Sequence, residues 1–166
     1  MDRFIHRHLP HSTWPTALLA GVGSAVGIGL LGYASEMTTF LMLVAPFGAT
    51  CVLIFAMPTS PVSQPINVVG GHILAGIVGL VMHFLLPGSA IGEGLSVGIA
   101  ISAMMLLRLI HPPAGATALV AYLTATTWWF ILFPVATGSI LLVVIAAIYH
   151  ALTKSTYPHP VPEKKA

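Results

Sequence analysis

Charge is what this sequence has least of. Of its 166 residues only 6% are Asp, Glu, Lys or Arg, against roughly 25% in soluble domains. Hydrophobic residues make up 57%, and the mean hydropathy is +0.96. That excludes a soluble globular domain. Cysteine occurs once, at Cys51, so no intrachain disulfide can form. There are no paired carboxylates, no nucleophile–base pair, no Walker loop and no dinucleotide fingerprint. Eight histidines are present, but no His-x3-His pair or companion carboxylate lies within an apolar stretch. These absences argue against an enzyme. No cofactor, metal or nucleic-acid partner is expected.

The few cations are unevenly placed. Arg3, Arg7, Lys154, Lys164 and Lys165 lie in the two tails, and only Arg108 lies between them. Cations near span ends favour the cytoplasmic side, so both termini are expected there, which requires an even number of spans. The expected location is a bacterial inner (plasma) membrane. Residues 1–14 read either as a cytoplasmic interfacial segment or as a basic tail that only sets orientation. Six helices follow, at about 15–33, 38–57, 67–86, from the Pro87-Gly88-Ser89 turn to about 110, from there to about 126–133, and 135–152. The first has an apolar run longer than the roughly 7–15 residues of a signal peptide and reads as a retained span. Residues 153–166, with Pro158, Pro160 and Pro162, are expected to be a disordered cytoplasmic tail.

What the chain does have is a duplicated box. Pro46-Phe47-Gly48-Ala49-Thr50 and Pro113-Ala114-Gly115-Ala116-Thr117 agree at four of five positions, 67 residues apart. At the same offset Gly27, Met37, Val68, Gly71 and His83 fall on Gly94, Met104, Val135, Gly138 and His150. The chain is therefore read as two membrane repeats, 15–86 and 87–152. Three spans per repeat make the halves inverted copies. The expected fold is an all-α membrane protein of six transmembrane helices in two inverted three-helix repeats, with broken or half helices at the boxes.

A proline-started helix exposes free backbone N–H groups at its first turn, and at membrane depth an anion is their natural partner. Two inverted boxes would aim two such tips at one buried spot, suited to a small monovalent anion. A competing placement makes His111-Pro112-Pro113 a tight cytoplasmic turn beside Arg108, with the second box at the surface.

The candidate binding residues are Gly48, Ala49, Thr50, His72, His111, Gly115, Ala116 and Thr117. Thr50 and Thr117 either donate to an anion or bond back to a carbonyl of their own helix. The glycines allow close backbone approach, to a ligand or to a neighbouring helix. His72 and His111 are rare polar groups in apolar runs, which bind an anion when protonated, relay a proton, or serve as satisfied core residues. His83 and His150, near helix ends, fit the membrane interfaces. Arg108 either snorkels to the surface or draws anions to a vestibule. Gly23/Gly27 and Gly94/Gly98 are spaced for close helix pairing, within one chain or in a homo-oligomer.

The stretch His111-Pro112-Pro113-Ala114-Gly115-Ala116-Thr117-Ala118 resembles the signature of the HPP family of integral membrane proteins. Pro46 to Thr50, Ser60-Pro61, Gln64-Pro65 and Asn67-Val68-Val69-Gly70-Gly71-His72 are similar to that family's other characteristic segment. The likeness covers roughly residues 16–152 and implies a nitrite or related small-anion permease. The residues alone reach "small anion"; nitrite comes from the resemblance. Channel-like and proton-coupled transport both remain open. A non-transporting membrane subunit or sensor that docks a partner protein is the rival reading.

Overall fold

The computed structural model describes residues 2–7, 9–124 and 127–160, and among these there are helices and loops but no strand. After a one-turn helix at Asp2–Ile5, six longer elements follow: α1 Trp14–Met37, α2 Pro46–Ala56, α3 Pro65–Leu85, α4 Ala90–Leu106, α5 Pro112–Thr124 and α6 Ile131–Leu152, with a single 3-10 turn, Pro61–Ser63, in the loop between α2 and α3. Among the described residues, only α1, α3 and α6 are long and apolar enough to cross a membrane, at 24, 21 and 22 residues. The six expected helices are present, three of them shorter than that. α2 has six α-helical residues and then five in π-helical turns, and α5 has 13; each is shorter than the ~20 residues a crossing needs.

Proline explains where these elements begin. It lacks an N–H and clashes with the carbonyl four residues back, so it opens helices and interrupts one it lies within, as at Pro134 near the start of α6, where Phe133 is non-helical (φ −129°, ψ 116°). Pro15, Pro46, Pro65 and Pro112 all sit in first turns. The helix expected over 38–57 accordingly does not form before Pro46; residues 38–45 are non-helical. α4 stops at Leu106, short of the expected 110. Its end is closed by Arg108 N–H to Met105 O (3.2 Å) and Leu109 N–H to Met104 O (2.8 Å), with Arg108 at φ 59°. That paired bonding is the Schellman stop.

The surface is apolar and the interior carries the polar groups. Leu18, Leu30, Ile99, Ile101, Ile148 and many others are exposed, while Thr50, Ser63, His72, Ser96, His111, Thr117, Ser139 and His150 are buried. Lipid, not water, is the solvent that suits such a molecule. α3 packs along α4 and α5, and α1 packs on α6 and α2. Gly23 and Gly27 do serve packing within the chain, facing Phe55 and Leu142, whereas Gly94 and Gly98 have nothing within 4 Å.

Two of the close glycine approaches are related by the 67-residue offset. A Cβ on Gly71 would lie 2.9 Å from Leu109 O, and one on Gly138 would lie 2.6 Å from Met42 O; both pairs of positions are 67 apart. His83 Nδ1–H donates to Tyr122 O and His150 Nε2–H to Ile54 O, each at 2.7 Å. Hence α3 of the first half closes on the α4–α5 break and α5, and α6 of the second half closes on the segment around α2. His150, in the last turn of α6, is 1% exposed and packed inside the chain.

The first part of the tail differs from the disorder expected. Tyr157 is buried, its hydroxyl donates to Ser63 O (3.1 Å), and His159 N–H donates to Gln64 Oε1 (2.8 Å). An aromatic with a bonded hydroxyl offsets the ordering of a short segment. Residues 161–166 of that tail, like His8 of the first segment, lie outside the described residues.

Candidate functional site

The two boxes meet α3 at one buried point. Thr50, His72, His111 and Thr117, taken from α2, α3, the residue preceding α5 and α5, are all 0% exposed. Thr50 Oγ1 lies 2.8 Å from His72 Nε2 and 3.1 Å from His111 Nε2. Thr117 Oγ1 lies 2.7 Å from His72 Nδ1. His111 Nδ1–H donates to Val62 O at 2.7 Å, in the loop between α2 and α3. Thr50 Oγ1 is also 3.3 Å from Pro46 O, one turn back. The two imidazoles are 4.9 Å apart between centroids, and Phe47 meets His72 edge-on at 5.1 Å.

Local structure explains why these side chains converge. On a helix, positions three and four apart share a face: Phe47, Thr50 and Ile54 are buried on α2, as are Pro113, Ala114, Thr117 and Ala121 on α5. Gly71 precedes His72 and lets His111 approach, its Cβ position being 2.9 Å from His111 Cβ. Gly138 does the same for the ring of Phe47, which a side chain there would strike.

The same periodicity turns the rest of each box away. Gly48, Ala49 and Ala116 are exposed and Gly115 is half-buried, and neither glycine has anything within 4 Å of its Cβ position. Ala49 and Ala116 face an outer seam between α2 and α5 with Val52, Leu53, Pro112 and Pro113. Three of the first-turn amides are bonded. Phe47 N–H donates to Val44 O (3.0 Å), Gly48 N–H to Ala45 O (3.1 Å) and Ala114 N–H to His111 O (2.9 Å); Pro46, Pro112 and Pro113 have none. The amides of Phe47, Gly48 and Ala114 are thus satisfied within the chain, and the side chains of the boxes are what converges at the buried point.

Arg108 is exposed, while His111, three residues on, is fully buried. Arg108 lines a pocket of about 350 Å³ with Asn67, Pro61, Val62, Met105 and Ile110. Asn67 Nδ2 holds its floor by donating to Ile110 O (3.0 Å) and Arg108 O (3.4 Å). Val62 touches this pocket and, through its carbonyl, His111. Neither Val62 nor Phe47 is marked by the sequence: one contributes a backbone atom and the other is one apolar residue among many. Among the described residues no group of three His, Cys, Asp or Glu could hold a metal.

Comparison with known proteins agrees with the apolar surface. The model of the HPP family's transmembrane region matches residues 9–158. A transmembrane protein of Dictyostelium discoideum is 37% identical over 150 residues, covering 82% of this chain and 48% of the relative. A second from the same organism is 30% identical over 156 residues, covering 88% and 53%. The chain spans about half the length of these curated relatives. No solved structure matches it.

Proposed function

Since the chain belongs to the HPP family of transmembrane proteins, we propose that it is a permease for nitrite or a similar small monovalent anion. The observation that carries the reading is the buried set Thr50, His72, His111 and Thr117. Intramembrane imidazoles and hydroxyls without a fixed charge suit a small polar solute rather than a lipid or a metal. The route begins at the Arg108–Asn67 pocket, where a guanidinium raises the local anion concentration. It then passes Val62 to the His111 ring. Selectivity resides in side chains, not in the helix tips. The repeat-related approaches of Gly71 to Leu109 and of Gly138 to Met42 support duplicated, inverted halves, and the cations of the two tails favour cytoplasmic termini. Nitrite as the particular anion rests on the likeness of the two box segments to the family's nitrite transporters.

Purified protein in liposomes tests this. We expect saturable uptake of nitrite above protein-free vesicles, weaker for chloride, and reduced in Thr50→Val and Thr117→Val. A wild-type protein that moves none of nitrite, nitrate, formate or chloride, yet copurifies with another chain, would instead be a docking subunit or sensor.

A further inference from the structure

Resting on the permease reading, we infer that the site takes its anion only together with a proton, and that the proton is held on the His72–His111 pair. Val62 O can only accept, so His111 Nδ1 carries a hydrogen. A neutral His111 then presents a lone pair at Nε2, which accepts from the Thr50 hydroxyl. Thr50 has one hydrogen, so its oxygen accepts from His72 Nε2–H. His72 Nδ1 is then a lone pair and accepts from the Thr117 hydroxyl. One directed chain results: Thr117 to His72 to Thr50 to His111 to Val62. The two neutral imidazoles are opposite tautomers.

That chain has room for one more proton without moving a heavy atom. If His111 Nε2 is protonated, the Thr50 hydroxyl turns its hydrogen to Pro46 O, 3.3 Å away. Thr50 Oγ1 then accepts from His72 Nε2–H and His111 Nε2–H together, using both lone pairs. Two N–H groups and one positive charge now converge on a single oxygen. An anion oxygen that displaced the Thr50 hydroxyl would be held by both rings, and its charge would be cancelled. In the neutral chain no donor of the four residues is free, and a bare anion would be buried unpaired, which is strongly disfavoured.

Nothing else at the site supplies the charge. α2 presents Thr50, with the thiol of Cys51 next to it in the core; α5 presents Thr117; the loop presents the Val62 carbonyl; α3 and the start of α5 present only the two rings. α4 ends beside them with Met104, and Arg108 lies beyond Val62 in the open pocket. Glu36 is exposed on α1 and Glu93 lies in the first turn of α4. The step balances simply: one proton and one anion are taken up on one side, and both are released on the other.

The test uses the wild-type protein in liposomes, with protein-free vesicles subtracted. Nitrite uptake should rise about tenfold per unit of inward proton gradient and be unmoved by an imposed potassium-diffusion potential. Uptake that follows the potential and ignores the proton gradient overturns the coupling while leaving the permease reading intact; no anion flux at all removes the permease reading itself. Independently, nitrogen NMR of histidine-labelled protein at neutral pH should show His111 protonated at Nδ1 and His72 at Nε2. Identical tautomers on the two rings would break the chain. His111→Gln, checked for an unchanged elution profile, should lose the gradient dependence.

Discussion

At the scale of single residues, Thr50 and Thr117 are not equivalent although their boxes are. Thr50 Oγ1 serves two imidazole nitrogens, whereas Thr117 Oγ1 serves one. Removing a partner from a buried polar atom costs about 1–3 kcal/mol. Thr50→Val should therefore lower stability in detergent by about 2–3 kcal/mol and Thr117→Val by about 1–2, read as thermal unfolding midpoints. Thr50→Ser, which keeps the hydroxyl, should lie close to wild type; a serine variant as damaged as the valine one would show that the methyl packing matters, not the bond. All four side chains of the site stand out in the sequence because a polar residue in an apolar run needs a partner. Which partner was not legible, since Val62 contributes only a carbonyl that every residue has.

At the scale of elements, proline and the helical period decide most of what is seen. Pro46 shows in the sequence as a helix start, yet the run 38–57 reads as continuous because hydropathy does not register a break. The glycines divide by what surrounds them. A methyl added at Gly71 or Gly138 meets a carbonyl oxygen at 2.9 or 2.6 Å, and overpacking of this kind costs about 1–3 kcal/mol. Gly48 and Gly115 face open space, so alanine there should be neutral or gain up to about 1 kcal/mol of helix preference. Unfolding of the four single alanine variants in detergent checks the contrast, and equal losses at all four would contradict it. The box glycines are the most conspicuous positions in the sequence, yet the helical turn faces them outward and the threonines into the core.

At the scale of the whole molecule, each half is closed by the other. α3 holds Leu109 and Tyr122 through Gly71 and His83, and α6 holds Met42 and Ile54 through Gly138 and His150. Fragments 1–87 and 88–166, divided in the α3–α4 turn, should be degraded when expressed singly and copurify when expressed together; stable single fragments would contradict the crosswise packing. The tail adds a pH response. Burial pushes the Tyr157 phenol from its ordinary value of 10.0 up to about 12. A raised folded-state value means that its contribution is complete below pH 10 and is lost as pH rises through about 12. Hydrogen exchange at residues 155–159 should therefore increase over that window beyond the intrinsic rate, and Tyr157→Phe should remove the pH-dependent part.

Composition by itself determined the solvent: with 6% charged residues and 57% hydrophobic ones, only a bilayer can surround this chain. Pattern determined the duplication and the polar residues that matter, because a repeated Pro-x-Gly-Ala-Thr and two isolated histidines need no third dimension to be noticed. Tertiary structure alone decided that the amides of the boxes are closed by their own preceding carbonyls, that α2 and α5 are half-length, and that two threonines and two histidines from four separate places share one hydrogen-bonded chain. Such contacts join residues up to 61 positions apart, and a distance of 2.8 Å between side chains is set by packing against α3, which no local pattern encodes.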